Sequence, residues 1–155
     1  MPDSAISADE SLILPDLLGT CAEAQKTVDA FVETARAKVA AQVSVDGRVN
    51  GGRLNEEQYA GHGLSWIVTY ATGLRELLHW AERLDQSGQR GETENLILQA
   101  AYGEYINQLR AGVAISQGEI VRPGDMGMSD ADTAPLSTGA AGQLLIAGNT
   151  NKVRM

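Results

Sequence analysis

Three segments of this chain repeat apolar residues at spacings that are mostly three and four, and this period constrains the fold more than any other feature. Such spacings return to the same side of an α-helix, so each segment predicts a helix with one apolar face. The repeating residues are Leu17, Cys21, Ala24, Val28, Phe31, Ala35 and Val39, then Tyr59, Gly63, Trp66, Tyr70, Leu74, Leu77, Ala81 and Leu84, then Leu96, Ala100, Ile106, Leu109 and Val113. Because each apolar face must be buried, we expect the segments to pack together.

Capping and breaking residues set the limits of these helices. Pro15 and Asp16 are typical of a helix start, and Asn55 is the predicted N-cap of the second helix. The third helix is predicted to begin near Glu92 and to end before Pro123, because the residue before a proline disfavours the helical region. Helices of about 28 residues would each be roughly 42 Å long.

Matched lengths and short connections predict an all-α fold, an antiparallel bundle of three long helices plus a short C-terminal helix. Ser137 or Thr138 would cap that last helix, which would end near Gly148. The turn pairs in residues 44–54 predict a loop rather than a sheet. We therefore expect a frayed N-terminus over residues 1–14, one helical domain over 15–148, and a linker or tail over 149–155.

Composition excludes several classes of protein. The 155 residues include 20 acidic and 12 basic side chains, and the resulting charge of −8 opposes binding to nucleic acid or to an anionic membrane. No apolar run approaches the roughly 20 residues that a membrane span needs. The single cysteine, Cys21, cannot form an intrachain disulfide. These features predict a soluble, cytoplasmic protein.

Glycines in the third apolar segment are its most unusual feature. Gly103, Gly112 and Gly118 would each weaken a helix by roughly 1 kcal/mol relative to alanine. Such glycines are expected where another backbone or a ligand must come close. With Arg122 and Asp125 they are the predicted contacts to a partner. The alternative for Arg122 is a surface ion pair with Glu119, three residues before it.

Residues able to carry chemistry are present, but none forms a complete site. Glu76 and His79 have the Glu-x-x-His spacing of di-iron bundles, yet the other histidine, His62, lacks the matching glutamate. Cys21 lies on an apolar stripe and is expected to be core. The segment with Asp125, Asp130 and Asp132 lacks the glycine and the terminal glutamate of a calcium loop at the required positions. The residues therefore predict no catalytic, cofactor-binding or metal-binding site.

Aromatic residues at helical spacing are expected to build the core. They are Trp66, Tyr70 and Trp80 on the second helix, with Tyr102 and Tyr105 on the third. Trp66 and Trp80 cannot both occupy the middle of one narrow stripe, so one of them is expected to face a partner.

Two stretches, WIVTYATGLRELLHWAERL and GEYINQLRAGVAISQGEIVRPGDMG, resemble the N-terminal extension of methylsuccinyl-CoA dehydrogenases, a subfamily of the acyl-CoA dehydrogenases. The resemblance covers about Leu54 to Gly127. It implies an FAD enzyme that oxidises (2S)-methylsuccinyl-CoA to mesaconyl-CoA in the ethylmalonyl-CoA pathway and passes electrons to an electron-transferring flavoprotein. The family's flavin-binding β domain and the domain with its catalytic glutamate have no counterpart in these residues, so no catalytic or FAD-binding residue is carried over.

Three hypotheses follow. The first is a helical accessory domain that packs against the catalytic body of such a flavoenzyme, binds no cofactor alone and is not catalytic by itself. The second is a free-standing helical interaction module that self-associates or captures a partner helix. The third, a small metal-dependent bundle enzyme, would require Glu76 and His79 as ligands.

Overall fold

The computed structural model describes residues 12–155, and within them helices predominate. The seven α-helices of this part are α1 (Leu17–Val43), α2 (Gly51–Glu56), α3 (Gln58–Gln86), α4 (Glu92–Ala111), α5 (Asp130–Thr133), α6 (Gly139–Ala147) and α7 (Asn151–Arg154). Two-residue strands form two hairpins, β1 (Ser44–Val45) with β2 (Arg48–Val49) and β3 (Val113–Ala114) with β4 (Ile120–Val121). Single 3-10 turns lie at Pro123–Met126 and Ala134–Ser137.

The predicted fold class is confirmed, because α1, α3 and α4 are long helices packed with the shorter C-terminal helix α6. Helices α1 and α3 pack side by side, and Asp29 of α1 pairs with Arg75 of α3 at 2.7 Å. Helices α3 and α4 run antiparallel, since Leu74 lies beside Tyr102 and the earlier Tyr70 lies beside the later Tyr105.

One buried polar chain ties the three long helices together. The hydroxyl of Tyr102 in α4 donates to Gln25 Oε1 in α1 at 2.9 Å, and Gln25 Nε2 donates to the Ala71 carbonyl in α3 at 3.2 Å. The same amide nitrogen lies 2.8 Å from Asp29 Oδ1, which accepts from Arg75 at 2.7 Å. Each buried polar group thus has a partner, as the interior of a protein requires.

The third helix is shorter than predicted, and the prediction that it continues toward Pro123 is wrong. It ends at Ala111 because Gly112 adopts a φ of 143°, which a helix does not accommodate. The chain then pairs Val113 with Val121 in the β3–β4 hairpin. Gly112 and Gly118 therefore lie outside the helix, and Glu119 and Arg122 do not share a helical face.

The first loop and the start of the second long helix also differ from prediction. A β1–β2 hairpin replaces the predicted plain loop, with positive φ angles at Asp46 and Gly47 in its turn. Asn55 is not the N-cap of the second long helix, because it belongs to α2. Asn50 caps α2 instead, its side chain accepting from the Arg53 amide at 3.0 Å.

Both ends of the described chain are tied to α4. The buried Gln99 side chain donates to the Leu12 carbonyl at 2.7 Å and accepts from the Leu14 amide at 2.8 Å. It also lies 3.4 Å from the Ala147 carbonyl at the end of α6. Residues 1–11 of the predicted frayed segment lie outside the described residues. The domain boundaries at 14 and 149 stay predictions.

Hydropathy places one further limit on the helices. Within residues 12–155, none is long and apolar enough to cross a bilayer.

Candidate interaction surface

The close approach predicted at Gly103 is found inside the domain. A Cβ on Gly103 would lie 2.7 Å from the Cα of Gly148, and a Cβ on Gly148 would lie 2.2 Å from the carbonyl oxygen of Gln99. Real Cβ atoms do not approach backbone atoms this closely. The backbones of α4 and the end of α6 can therefore come into contact only because both positions are glycine. Gly103 is buried there, and its near neighbour is this chain's own backbone.

The other four predicted partner contacts lie in the β3–β4 hairpin or directly beside it. A Cβ on Gly112 would lie 2.6 Å from Ile120 Cγ2. A glycine at this position therefore leaves room for the β4 strand of the hairpin. Gly118 has no atom within 4 Å of its notional Cβ and lies in the exposed turn. Asp125 accepts from the Arg122 amide at 2.7 Å and so helps cap the 3-10 turn Pro123–Met126, in which it lies. Gly118, Arg122 and Asp125 are exposed and lie close together in sequence. Their contact with a partner stays a prediction.

Glu119 pairs with a different residue from the one that the sequence suggested. Its carboxylate accepts from the Ser116 hydroxyl at 3.0 Å, and its carbonyl accepts from the Ile115 amide at 2.9 Å. These bonds close the turn of the hairpin and leave the guanidinium of Arg122 on the surface.

Side chains that could perform chemistry are dispersed. The imidazole Nδ1 of His79 lies 3.7 Å from Glu76 Oε1 on the surface, and no group of three or more His, Cys, Asp or Glu converges within residues 12–155. Cys21 is fully buried, and this burial raises the pKa of its thiol to about 12. A thiol that stays protonated at neutral pH is a poor nucleophile.

The carboxylate of Asp132, in helix α5, holds the start of that helix through hydrogen bonds. The carboxylate accepts from the backbone amide and the hydroxyl of Ser129, both at 2.8 Å, and lies 3.5 Å from Lys38. The two bonds from Ser129 lower the pKa of this carboxyl below its ordinary value, with a smaller contribution from Lys38. Asp132 therefore caps helix α5 and links it to α1.

An aromatic row crosses from α3 to α4 on the surface. Trp66 Nε1 donates to His62 Nε2 at 2.6 Å, and the two rings are nearly parallel. Trp66 meets Tyr70 edge to face at 6.3 Å, and Tyr70 stacks on Tyr105 of α4 at 4.9 Å. His62 is exposed and the other three are half-buried. This row is amphipathic, as aromatic residues at interfaces are.

At Tyr105 the row joins a groove between α4 and α7. The α4–α7 groove has a volume of about 610 Å³ and is lined by Leu96, Ile97, Ala100, Ala101, Glu104, Tyr105, Val153 and Arg154. Ile97 is 48% exposed, although it is a large aliphatic residue. The two charged groups pair with each other, Arg154 Nη1 lying 3.6 Å from Glu104 Oε2.

Sequence reasoning did not find this groove, because it did not predict α7. Thr150 is the signal that was available: its hydroxyl caps α7 by accepting from the Val153 amide at 3.2 Å. Val153 is then buried beside α4. Trp66 and Trp80 are both half-buried against the core, and the expectation that one of them faces a partner stays a prediction.

Two hollows in the described part of the chain lack the usual frame for a flavin dinucleotide. The α4–α7 groove is open and mainly apolar, and the hollow between α2 and α3 is lined by Gly51, Leu54, Asn55, Gln58, Gly61, His62 and Ser65. Neither presents a glycine-rich turn leading into a long helix, which is how a pyrophosphate is usually held. No step of a redox reaction is assigned to these residues.

Comparison with known proteins supports the resemblance drawn from the sequence. The chain is 42% identical over 142 residues to a (2S)-methylsuccinyl-CoA dehydrogenase of Cereibacter sphaeroides. No protein-family model matches the chain. The match covers 92% of this chain and 25% of that dehydrogenase, so the chain spans about a quarter of the length of the relative. The resemblance to methylsuccinyl-CoA dehydrogenase is thereby confirmed, over a longer stretch than the residues that first indicated it.

Proposed function

We propose that this chain is a helical accessory and assembly domain of an FAD-dependent acyl-CoA dehydrogenase of the methylsuccinyl-CoA type. One observation carries the proposal: nearly the whole chain matches a dehydrogenase, and it matches only a quarter of that enzyme. In this proposal the chain corresponds to an N-terminal extension and works in the cytoplasm. The remaining polypeptide, called here the dehydrogenase body, holds the flavin and oxidises (2S)-methylsuccinyl-CoA to mesaconyl-CoA.

The chemistry of the described residues supports a role in packing. Cys21 and Tyr102 are buried, and burial raises the pKa of each. Asp29 and Arg75 pair at 2.7 Å where the buried polar chain reaches the surface, so they hold α1 against α3. These groups stabilise the bundle rather than converge on a substrate.

The proposal is tested on the purified chain. After incubation with FAD and gel filtration, the chain is expected to show no flavin absorbance near 450 nm. It is also expected not to oxidise methylsuccinyl-CoA in the presence of an artificial electron acceptor. A stoichiometric flavin spectrum, or turnover by this chain alone, would contradict the proposal.

A second candidate is a free-standing helical module that associates with its own copies. The exposed Ile97 and the α4–α7 groove favour it, because contiguous apolar surface commonly marks an interface. Sedimentation velocity of the chain alone separates the two. A stable homo-oligomer that does not bind the dehydrogenase body favours the free-standing interaction module. A monomer that binds the body favours the accessory domain.

A further inference from the structure

We propose that the α4–α7 groove is the docking site for an apolar segment of the dehydrogenase body. This inference rests on the proposed function and names the surface through which it works. About three quarters of the similar dehydrogenase lies outside the match, since 25% of it is covered. A domain matched to one quarter of an enzyme needs a surface that holds it against the rest.

Helix α7 forms one side of this groove. Val153 and Arg154 of α7 form one wall, and Ile97, Ala101 and Tyr105 of α4 form the other. If the body follows α7, as in an N-terminal extension, its first residues emerge beside the groove. A short tether gives a neighbouring segment a millimolar effective concentration, so it docks here in preference to a distant face.

The lining of the groove defines the chemistry of its occupant. Its walls are largely aliphatic and aromatic, and its two charged residues, Glu104 and Arg154, already pair with each other. An apolar segment therefore leaves no charge of the groove without its partner. A leucine, methionine or phenylalanine anchor suits a hollow of about 610 Å³ next to the Tyr105 ring.

The aromatic row extends this docking surface onto α3. Tyr105 belongs both to the groove and to the row, because it stacks on Tyr70, which in turn meets Trp66. Partly exposed tryptophan and tyrosine rings are typical of residues that dominate binding energy at interfaces. The groove and the row together give one continuous surface on α3, α4 and α7.

The test uses calorimetric titration of this chain into the FAD-loaded body of the Cereibacter sphaeroides dehydrogenase, from which the matched quarter has been removed. Ile97→Asp places a charge in the groove, and Ala101→Arg fills it. Each is expected to weaken binding by about tenfold or more. Val49→Asp is the matched control, because Val49 is 66% exposed and lies in the β1–β2 hairpin. It is expected to change affinity by less than about twofold.

The outcomes separate this inference from the proposed function. Binding of the wild-type chain that both groove variants leave unchanged overturns the inference alone. Failure of the wild-type chain to bind a folded body overturns both. A homodimer that Ile97→Asp dissociates, without binding to the body, makes a second copy the occupant and overturns the inference in favour of the interaction module.

A second measurement applies where the body does not fold without its helical quarter. This chain then replaces the matched quarter in a chimeric enzyme, and the same three variants are compared by thermal unfolding. The two groove variants are expected to lower the Tm of the chimera by more than they lower the Tm of the isolated chain, and Val49→Asp is expected to change both alike. Equal Tm values for all three chimeras would overturn the inference.

Discussion

Helix α4 has two faces that differ in how they are built and in what they contact. Its inner face buries Gln99, Tyr102 and Gly103 completely, and Gly103 touches the backbone at Gly148. Its outer face presents Ile97 and Tyr105 to an open groove. The inner face therefore combines hydrogen-bonding side chains and a glycine with the large apolar residues of the core, while the outer face leaves Ile97 and Tyr105 accessible from the groove.

One substitution made on both faces tests this difference most strongly. Ile106 is fully buried and Ile97 is half exposed, and both lie within α4. Ile106→Ala is expected to lower the free energy of unfolding by about 3 to 4 kcal/mol, because it opens a cavity in the core. Ile97→Ala is expected to lower it by less than about 1 kcal/mol, because water already reaches that side chain. Urea denaturation of both variants measures the contrast, and equal losses would contradict it.

The glycine crossing gives the second comparison. Gly148→Ala places a methyl group 2.2 Å from the Gln99 carbonyl oxygen, so we expect a loss of about 3 kcal/mol in the free energy of unfolding. Gly73→Ala is the control, since no atom lies within 4 Å of its notional Cβ in the middle of α3. It is expected to stabilise the domain by up to about 1 kcal/mol. Chemical denaturation measures the free energy of unfolding of both variants. An unchanged value for Gly148→Ala would contradict the close backbone crossing.

Two glutamines on α4 offer a smaller contrast. Gln99→Leu removes the partner of the Leu12 carbonyl and of the Leu14 amide and is expected to cost about 2 kcal/mol. Gln108→Leu removes a half-buried amide that donates to Glu104 at 3.1 Å and is expected to change stability by about 0.5 kcal/mol or less. Thermal unfolding checks both, and a neutral Gln99→Leu would show that residues 12–14 are not held by this side chain.

Ionisation of the Cys21 thiol is expected to give the smallest of these effects, a decrease in the free energy of unfolding as the pH rises. Burial raises its pKa from 9.0 to about 12, so the unfolded chain releases this proton at a lower pH than the native one. The contribution of this thiol to the free energy of unfolding is fully present below pH 9 and is lost as the pH rises toward 12. Between pH 8 and 10 the wild type should lose about 1.4 kcal/mol more than Cys21→Ala.

The comparison is made below pH 10, because Tyr102 adds a loss of the same sign above its ordinary pKa of 10.0. Parallel pH profiles for wild type and Cys21→Ala, measured by urea denaturation, would show that the thiol is not buried.

The sequence predicted the long elements well because periodicity records which residues must be buried together. Helix α1 begins at Leu17, directly after the predicted Pro15 and Asp16 start, and α3 ends at Gln86, two residues after Leu84, the last residue of its apolar repeat. Helix α6 ends at Ala147, beside the predicted Gly148. Local capping and a repeated apolar face determine these elements.

The features that sequence could not predict depend on residues far apart in the chain. The close neighbour of Gly103 is Gly148, and no local pattern links the two. The end of α4 depends on a φ of 143° at Gly112. Glycine allows this angle, but the presence of a glycine does not show that the angle is adopted. The groove depends on a four-residue helix, α7, which is too short to show an apolar period.

In the proposed function, this chain joins a flavoenzyme body without holding the flavin itself. Sedimentation velocity of the chain mixed with the FAD-loaded body, followed at 280 and 450 nm, tests it most directly. We predict that the absorbance of the chain at 280 nm moves into the faster boundary that carries all of the 450 nm signal. A chain that sediments alone beside an unchanged body, or that carries 450 nm absorbance in its own boundary, would contradict the account.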